Sequence, residues 1–140
     1  MLLQQLNRGD AEKVFIMVQN VSGVTTTQGA MACFAILPAT ASLGNAVATP
    51  ATSNLPLFCG VFDADLASDA YGLAQVYGYR ASVVVNVGGQ SQSAAGGRIG
   101  PANASWTGQT NGLTFALGPV VIIDNDLSGS GWARGFIRAL

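Results

Sequence analysis

The sequence of 140 residues contains no histidine, a single lysine and few charges of either sign. Without imidazole, no Ser–His–Asp or Cys–His arrangement can form, and the metal sites that rely on histidine are excluded. A Ser–Lys pair or a Schiff base would depend on Lys13 alone. No G-x-x-x-x-G-K-[ST] loop occurs, and the glycines form no dinucleotide-binding fingerprint. We therefore expect that the chain is not an enzyme, with no catalytic residue, cofactor or metal ligand.

Charged residues make up 9% of the chain and the formal net charge is −1, whereas globular proteins have about 25% charged residues. A surface so poor in charge indicates coverage by partners; the alternative is a small surface of uncharged polar residues. Phosphate binding needs clustered cations, and here the lysine and five arginines are scattered along the sequence. We expect no nucleic-acid partner. No apolar run approaches the ~18 residues of a membrane helix, so we also expect no membrane partner.

Short apolar runs between turn residues predict strands along most of the chain. The predicted strands are 14–19, 29–38, 43–48, 55–62, 71–87, 113–124 and 132–140, with a bend at Gly78. Residues 1–13 are predicted to form an N-terminal arm, either a helical turn or a docked extended segment, and 88–112 a long Gly/Ser-rich loop. No segment has a sustained helical period. We predict an all-β fold with one domain, 14–140, built as a small β-barrel or sandwich.

An internal repeat supports this architecture. Residues 61–78 align without gaps on 122–139, and the sequence Asp-x-Asp-Leu occupies the same place in both. Large and small residues then alternate with period 2 in each copy, which is typical of a strand. The alignment predicts two copies of a strand–turn–strand unit; chance similarity in a chain of biased composition is the alternative.

The aspartates of the repeat raise the question of calcium. Asp124–Asp126 resembles the opening of a calcium-binding loop, but the twelfth position is Gly135 instead of glutamate. We prefer the interpretation that Asp63 and Asp124 accept hydrogen bonds from turn amides, while the leucine of each copy, such as Leu66, returns to the core.

The two cysteines lie in apolar segments that are predicted to be strands. Buried free thiols are the preferred interpretation of Cys33 and Cys59, because free cysteine behaves as a small apolar residue. A disulfide would form only if the two strands were neighbours.

Residues 60–85, GVFDADLASDAYGLAQVYGYRASVVV, resemble a segment that recurs in the small head decoration (cement) proteins of tailed bacteriophages. In that family a hydrophobic G-V strand leads through a short turn to a Y-G-x-x-Q-V-x-G strand. The matching residues are Gly60, Val61, Tyr71, Gly72, Gln75, Val76 and Gly78. The C-terminal FIRAL resembles the final strand of the same proteins, and the resemblance covers about half of the chain.

The resemblance implies a β-tulip-like barrel that binds the outside of an icosahedral head, often as a homotrimer, with the major capsid protein and copies of itself as partners. It implies a location on the outer capsid surface of the virion, and in the host cytoplasm during assembly. The candidate partner-binding residues are the apolar side chains of the arm and of the long loop: Leu2, Leu3, Leu6, Ile99 and Trp106. The alternatives are another virion component, such as a tail or fibre protein, and a carbohydrate-binding adhesin.

Overall fold

The computed structural model describes residues 12–36, 44–86, 97–109, 118–123 and 131–139. Its strands are β1 (Val14–Asn20), β2 (Met31–Phe34), β3 (Ala46–Ala48), β4 (Phe58–Phe62), β5 (Tyr71–Val85), β6 (Arg98–Pro101), β7 (Gly108–Gln109), β8 (Val120–Ile122) and β9 (Gly131–Arg138). A single 3-10 turn, Leu55–Leu57, is the only helical element in the described residues. The predicted all-β class is therefore confirmed.

The nine strands form one mixed sheet that closes on itself twice. Its hydrogen-bonded order is β1-β3-β2-β4-β5-β7-β6-β8-β9, and β5 pairs in addition with both β1 and β9. The order thus contains two rings of five strands that share β5. Closure is partial, because β3 has three residues and β7 has two. This arrangement agrees with the prediction of a small barrel or sandwich.

Each ring has its own apolar core, and the strands between the rings contribute to both. Core A consists of Val18, Ala30, Ala32, Val47, Cys59, Phe62, Leu66 and Ala74. Core B consists of Met31, Val61, Val83, Val85, Ile99, Val120, Ile122, Ala133 and Ile137. Successive residues of a strand face opposite sides, so β2 and β4 place alternate side chains in the two cores. Their continuous apolar runs reflect burial on both faces.

Strand β5 has fifteen residues and is the wall common to both rings. Its first half pairs with β1 and β4, and its second half pairs with β7 and β9. The register with β1 shifts where Val14 pairs with Tyr77 and Phe15 with Gln75. Gly78 follows at once with a φ of +103°. The shift and this backbone conformation lie where the sequence predicts a bend, as expected of a strand that passes from one ring to the next.

Two segments differ from the sequence prediction. The predicted loop 88–112 contains β6 and β7 within its described part, because Ile99 enters core B and lies opposite Val120. The predicted strand 55–62 begins with the 3-10 turn, since Pro56 fixes φ and lacks the amide hydrogen that a strand would use. The predicted strand 113–124 is described only from 118 to 123.

Both repeat copies form antiparallel pairs, but their registers differ by one residue. In the first copy Val61 lies opposite Gln75, and in the second Ile122 lies opposite Gly135. The gapless alignment equates Gln75 with Phe136, so it predicts Phe136 opposite Ile122. The strand–strand unit therefore occurs twice, without the strict equivalence of side chains that the alignment predicts. The second turn, with Asp124–Asp126, lies outside the described residues.

Candidate interaction surfaces

The predicted partner-binding residues have different positions. Leu2, Leu3 and Leu6 lie outside the described residues. Ile99 is 3% exposed and packs in core B, so its side chain is unavailable to a partner. Trp106 is half-buried against core A, with its ring centroid 5.7 Å from that of Phe62. Of the five, only Trp106 is seen to present part of its side chain at the surface.

The two cysteines are free and buried, as preferred from the sequence, although β2 and β4 are neighbours. Burial raises the pKa of the Cys33 thiol to about 12. The pKa of Cys59 is raised further, first by burial and then by the nearby Cys33. Its Sγ donates to the Ala32 carbonyl oxygen at 3.4 Å. Reactive cysteines need a lowered pKa and access to solvent, so neither thiol is an activated nucleophile.

A buried guanidinium connects the two rings. Arg80 is 5% exposed, and its Nη1 donates to Asp63 Oδ1 at 3.0 Å and to Gln75 Oε1 at 3.3 Å. Its Nη2 donates to the Phe62 carbonyl oxygen at 2.7 Å, and its Nε to that of Ser82 at 2.9 Å. The guanidinium donates to acceptors of the chain itself through Nε, Nη1 and Nη2, which favours a supporting role over contact with a ligand.

This contact corrects the interpretation of Asp63. Its carboxylate accepts from the Arg80 guanidinium instead of from an amide of its own turn. The amide acceptor is Asp65, whose Oδ1 binds the backbone N–H of Gln28 at 2.7 Å. Leu66 does return to core A as predicted. The local Asp-x-Asp-Leu pattern could not reveal that Asp63 pairs with an arginine seventeen positions away.

A first exposed surface lies where β1 pairs with the first half of β5. We call Phe15, Met17, Tyr71 and Leu73 the apolar patch. Met17 lies directly opposite Leu73, and the four side chains are 36%, 61%, 55% and 46% exposed. Opposed residues of antiparallel strands share a face, so these side chains are adjacent. All four positions are uncharged.

A second exposed surface covers the outside of the second ring. Pairing aligns Arg98, Val121, Phe136 and Tyr79 in one row across β6, β8, β9 and β5. Arg138 lies opposite Tyr77 in the next row. The outward residues of β9 therefore alternate between aromatic and cationic side chains: Trp132, Arg134, Phe136 and Arg138. We call this surface the aromatic–arginine face.

In the sequence, both surfaces correspond to strands in which large and small residues alternate with period 2. The sequence shows large residues at alternate positions of the strands containing Tyr71 and Trp132, but not whether that side faces solvent or a core. In the structure the side of β9 that bears Trp132 faces solvent, and its ring is 56% exposed. On β5, Gln75 lies on the same side of the strand as Tyr71 but is buried. The Gln75 amide is hydrogen-bonded to Arg80, Tyr77 and Tyr79, which accounts for its burial.

The described residues contain no group of three or more His, Cys, Asp or Glu side chains that could hold a metal ion. Nor do they include a helix long and apolar enough to cross a membrane. Comparison with known proteins adds no assignment: no protein-family model matches the chain, and no curated protein matches it significantly.

Proposed function

We propose that this chain is a structural virion protein of the capsid decoration type. It binds the outer surface of an icosahedral phage head, with the major capsid protein and further copies of itself as partners. The apolar patch is the observation that carries the proposal. Four adjacent large side chains remain exposed in a chain with 9% charged residues, and such a surface is stabilised when a partner covers it.

The mechanism is burial of apolar area between subunits. Complete burial of one large apolar side chain contributes about 1.5–3 kcal/mol, and the patch side chains are already partly buried, so each would contribute about 1 kcal/mol. A single contact of this size is weak. Repeated over the many equivalent sites of a shell, it shifts the equilibrium toward the assembled state by mass action. The patch lies on the first of the two partly closed rings, where β1 pairs with β5.

The test is attachment of purified variants to particles from which the chain has been removed. The double substitution Met17→Glu and Leu73→Glu places two carboxylates at the centre of the patch, and we expect loss of attachment by roughly tenfold or more. The control is Val24→Glu, at an apolar residue that is 50% exposed outside the patch. Attachment of the double variant at the level of the control would contradict this role for the patch.

A carbohydrate-binding adhesin is the second candidate, and the exposure of Trp132 favours it. An indole ring that is 56% exposed on a sheet face is able to stack on a sugar. A glycan array probed with the purified chain and with Trp132→Ala tests this function. Binding that disappears with Trp132→Ala, together with absence from particles, would replace the decoration role.

A further inference from the structure

The aromatic–arginine face shows how the fold gathers cations that the sequence scatters. Arg98 and Arg138 lie forty positions apart, yet both project from the outside of the second ring. Both are exposed, and neither makes an ion pair within the part of the chain that the structure describes. Arg134 projects from the same side of β9 and already makes a contact within the chain. A cationic surface therefore exists on a chain whose net charge is −1.

The described carboxylates lie elsewhere. Asp63, Asp65 and Asp69 belong to the connection between β4 and β5, and Glu12 precedes β1. None of the described outward positions of β5, β6, β8 and β9 on this face carries a carboxylate. The face thus lacks internal neutralisation by its own strands, and it is complementary to a surface of negative charge.

Aromatic residues occupy positions near Arg138 in the ladder. Tyr77 and Phe136 form an edge-to-face pair with centroids 5.2 Å apart, and Arg138 lies opposite Tyr77 in the ladder. Tyr79 lies beside Phe136 in the next pair. Arginine is weakly hydrated and stacks on such rings, and its planar fork binds a carboxylate through two parallel hydrogen bonds.

The composition distinguishes a protein partner from a nucleic acid. Tyrosine, tryptophan, phenylalanine and arginine are enriched at protein interfaces, whereas lysine, aspartate and glutamate are depleted, and the described face follows this pattern. Binding of single strands requires a basic groove that follows the backbone. Two or three arginines on an acidic chain, with a sequence pI of about 4.9, do not supply one.

We propose that the aromatic–arginine face is a docking surface for a protein surface rich in carboxylates, with Arg98 and Arg138 as the carboxylate-binding residues and Val121 and Phe136 as the apolar contact between them. This inference concerns a different face from the apolar patch and holds for any acidic protein partner. It does not depend on the virion assignment.

The experiment measures binding of the full chain to an immobilised random copolymer of glutamate and tyrosine, at low and at physiological ionic strength. We expect binding that weakens with salt. The double variant Arg98→Gln and Arg138→Gln should bind roughly tenfold more weakly or worse, because two charge-assisted contacts are lost. The double variant with lysine at both positions keeps the positive charge but lacks the planar guanidinium that binds a carboxylate through two hydrogen bonds. Its affinity should therefore lie between those of the unaltered chain and the glutamine variant.

The matched control is Lys13→Gln, which removes an exposed cation outside the four strands and should change affinity by no more than about twofold. Thermal melts of all variants establish equal folding. Absence of binding by the unaltered chain, or equal binding by the glutamine variant, overturns the proposal. Tighter binding to single-stranded oligothymidine than to the copolymer overturns it in favour of a nucleic-acid face. A chain that is absent from particles but binds the copolymer through these arginines overturns only the proposed function.

Discussion

Arg80 joins the second half of β5 to the end of β4 and to Asp63, the residue that follows it. Its guanidinium satisfies the Phe62 carbonyl oxygen and the Gln75 side-chain oxygen, both in buried surroundings. Gln75 in turn donates to the carbonyl oxygens of Tyr77 and Tyr79, both at 3.1 Å. The bend in β5 is thus supported by a polar network whose members depend on one another.

Replacement of Arg80 by methionine should therefore lower the free energy of unfolding by about 3–5 kcal/mol, because it leaves buried acceptors unpaired. Asp63→Asn should cost only about 1 kcal/mol, since the Asp63 side chain is 47% exposed and water can replace the lost contact. Urea unfolding followed by circular dichroism measures both changes. Equal and small effects of the two substitutions would show that the network does not support the bend.

The buried thiols give a stability that depends on pH in a defined direction. The raised pKa values mean that Cys33 and Cys59 stay protonated in the folded state well above their ordinary value of 9.0. The unfolded chain ionises them near that value, so it binds fewer protons than the folded chain above it. Their contribution is fully present below about pH 9 and is lost as the pH rises toward 12, by about 1.4 kcal/mol per unit for each thiol.

The difference between the unaltered chain and Cys59→Ala isolates this effect from the titration of tyrosine and lysine. We expect the unaltered chain to lose stability more steeply between pH 9 and about 11, in urea unfolding measured at each pH. Thiol-modifying reagents should react with neither cysteine until the chain unfolds. Parallel pH profiles, or rapid modification of the folded chain, would contradict the burial of these thiols.

Strand β5 and its bend determine the arrangement of the elements. A Cβ added at Gly78 would meet the carbonyl oxygen of Glu12, and the φ of +103° is strained for any other residue. Glycine is required there both by the backbone conformation and by the close approach of the segment before β1. Gly23 also has a positive φ, of +81°, but nothing lies within 4 Å of an added Cβ.

Gly78→Ala should therefore destabilise the fold severely, by more than about 3 kcal/mol, or prevent folding. Gly23→Ala should cost about 1 kcal/mol, from the backbone conformation alone. Thermal or urea unfolding compares the two. A cost at Gly78 no larger than at Gly23 would mean that the chain before β1 does not pack against the bend.

Comparison of the elements with the sequence prediction shows which signals were sufficient. Strands β1, β4, β5 and β9 are long or strongly apolar, and their patterns predicted them. Strand β6 carries only Ile99 as a large apolar side chain, and β7 is Gly108–Gln109. Neither segment therefore has the apolar alternation from which a strand is predicted. These strands form because β5 and β8 supply neighbours from distant parts of the chain, and such tertiary context is absent from a local window.

The surfaces were less predictable than the strands. The sequence shows that Tyr71 and Leu73 share one side of a strand with Gln75, but Gln75 is buried and hydrogen-bonded to Arg80, whereas the other two are exposed. Likewise the arginines are scattered along the sequence, and only the pairing of β6, β8 and β9 brings Arg98 and Arg138 to one face. The sequence predicts Ile99 as a partner-binding residue because it lies in a predicted loop, but in the structure Ile99 belongs to core B.

At the scale of the whole molecule, two differently composed surfaces lie on the outside of two partly closed rings. The apolar patch lacks charge, and the aromatic–arginine face carries cations on a chain of net charge −1. The proposed structural role within an assembly would cover both surfaces with partners, and it would explain the low charge of the chain.

Quantitative mass spectrometry of gradient-purified phage particles, from the host that carries the gene, tests this account most directly. The number of copies of the chain is compared with that of the major capsid protein in the same particles. The decoration role predicts a fixed ratio to the shell protein, retained through a second gradient and lost together with the shell. Absence of the chain, or trace amounts that vary between preparations, would contradict it.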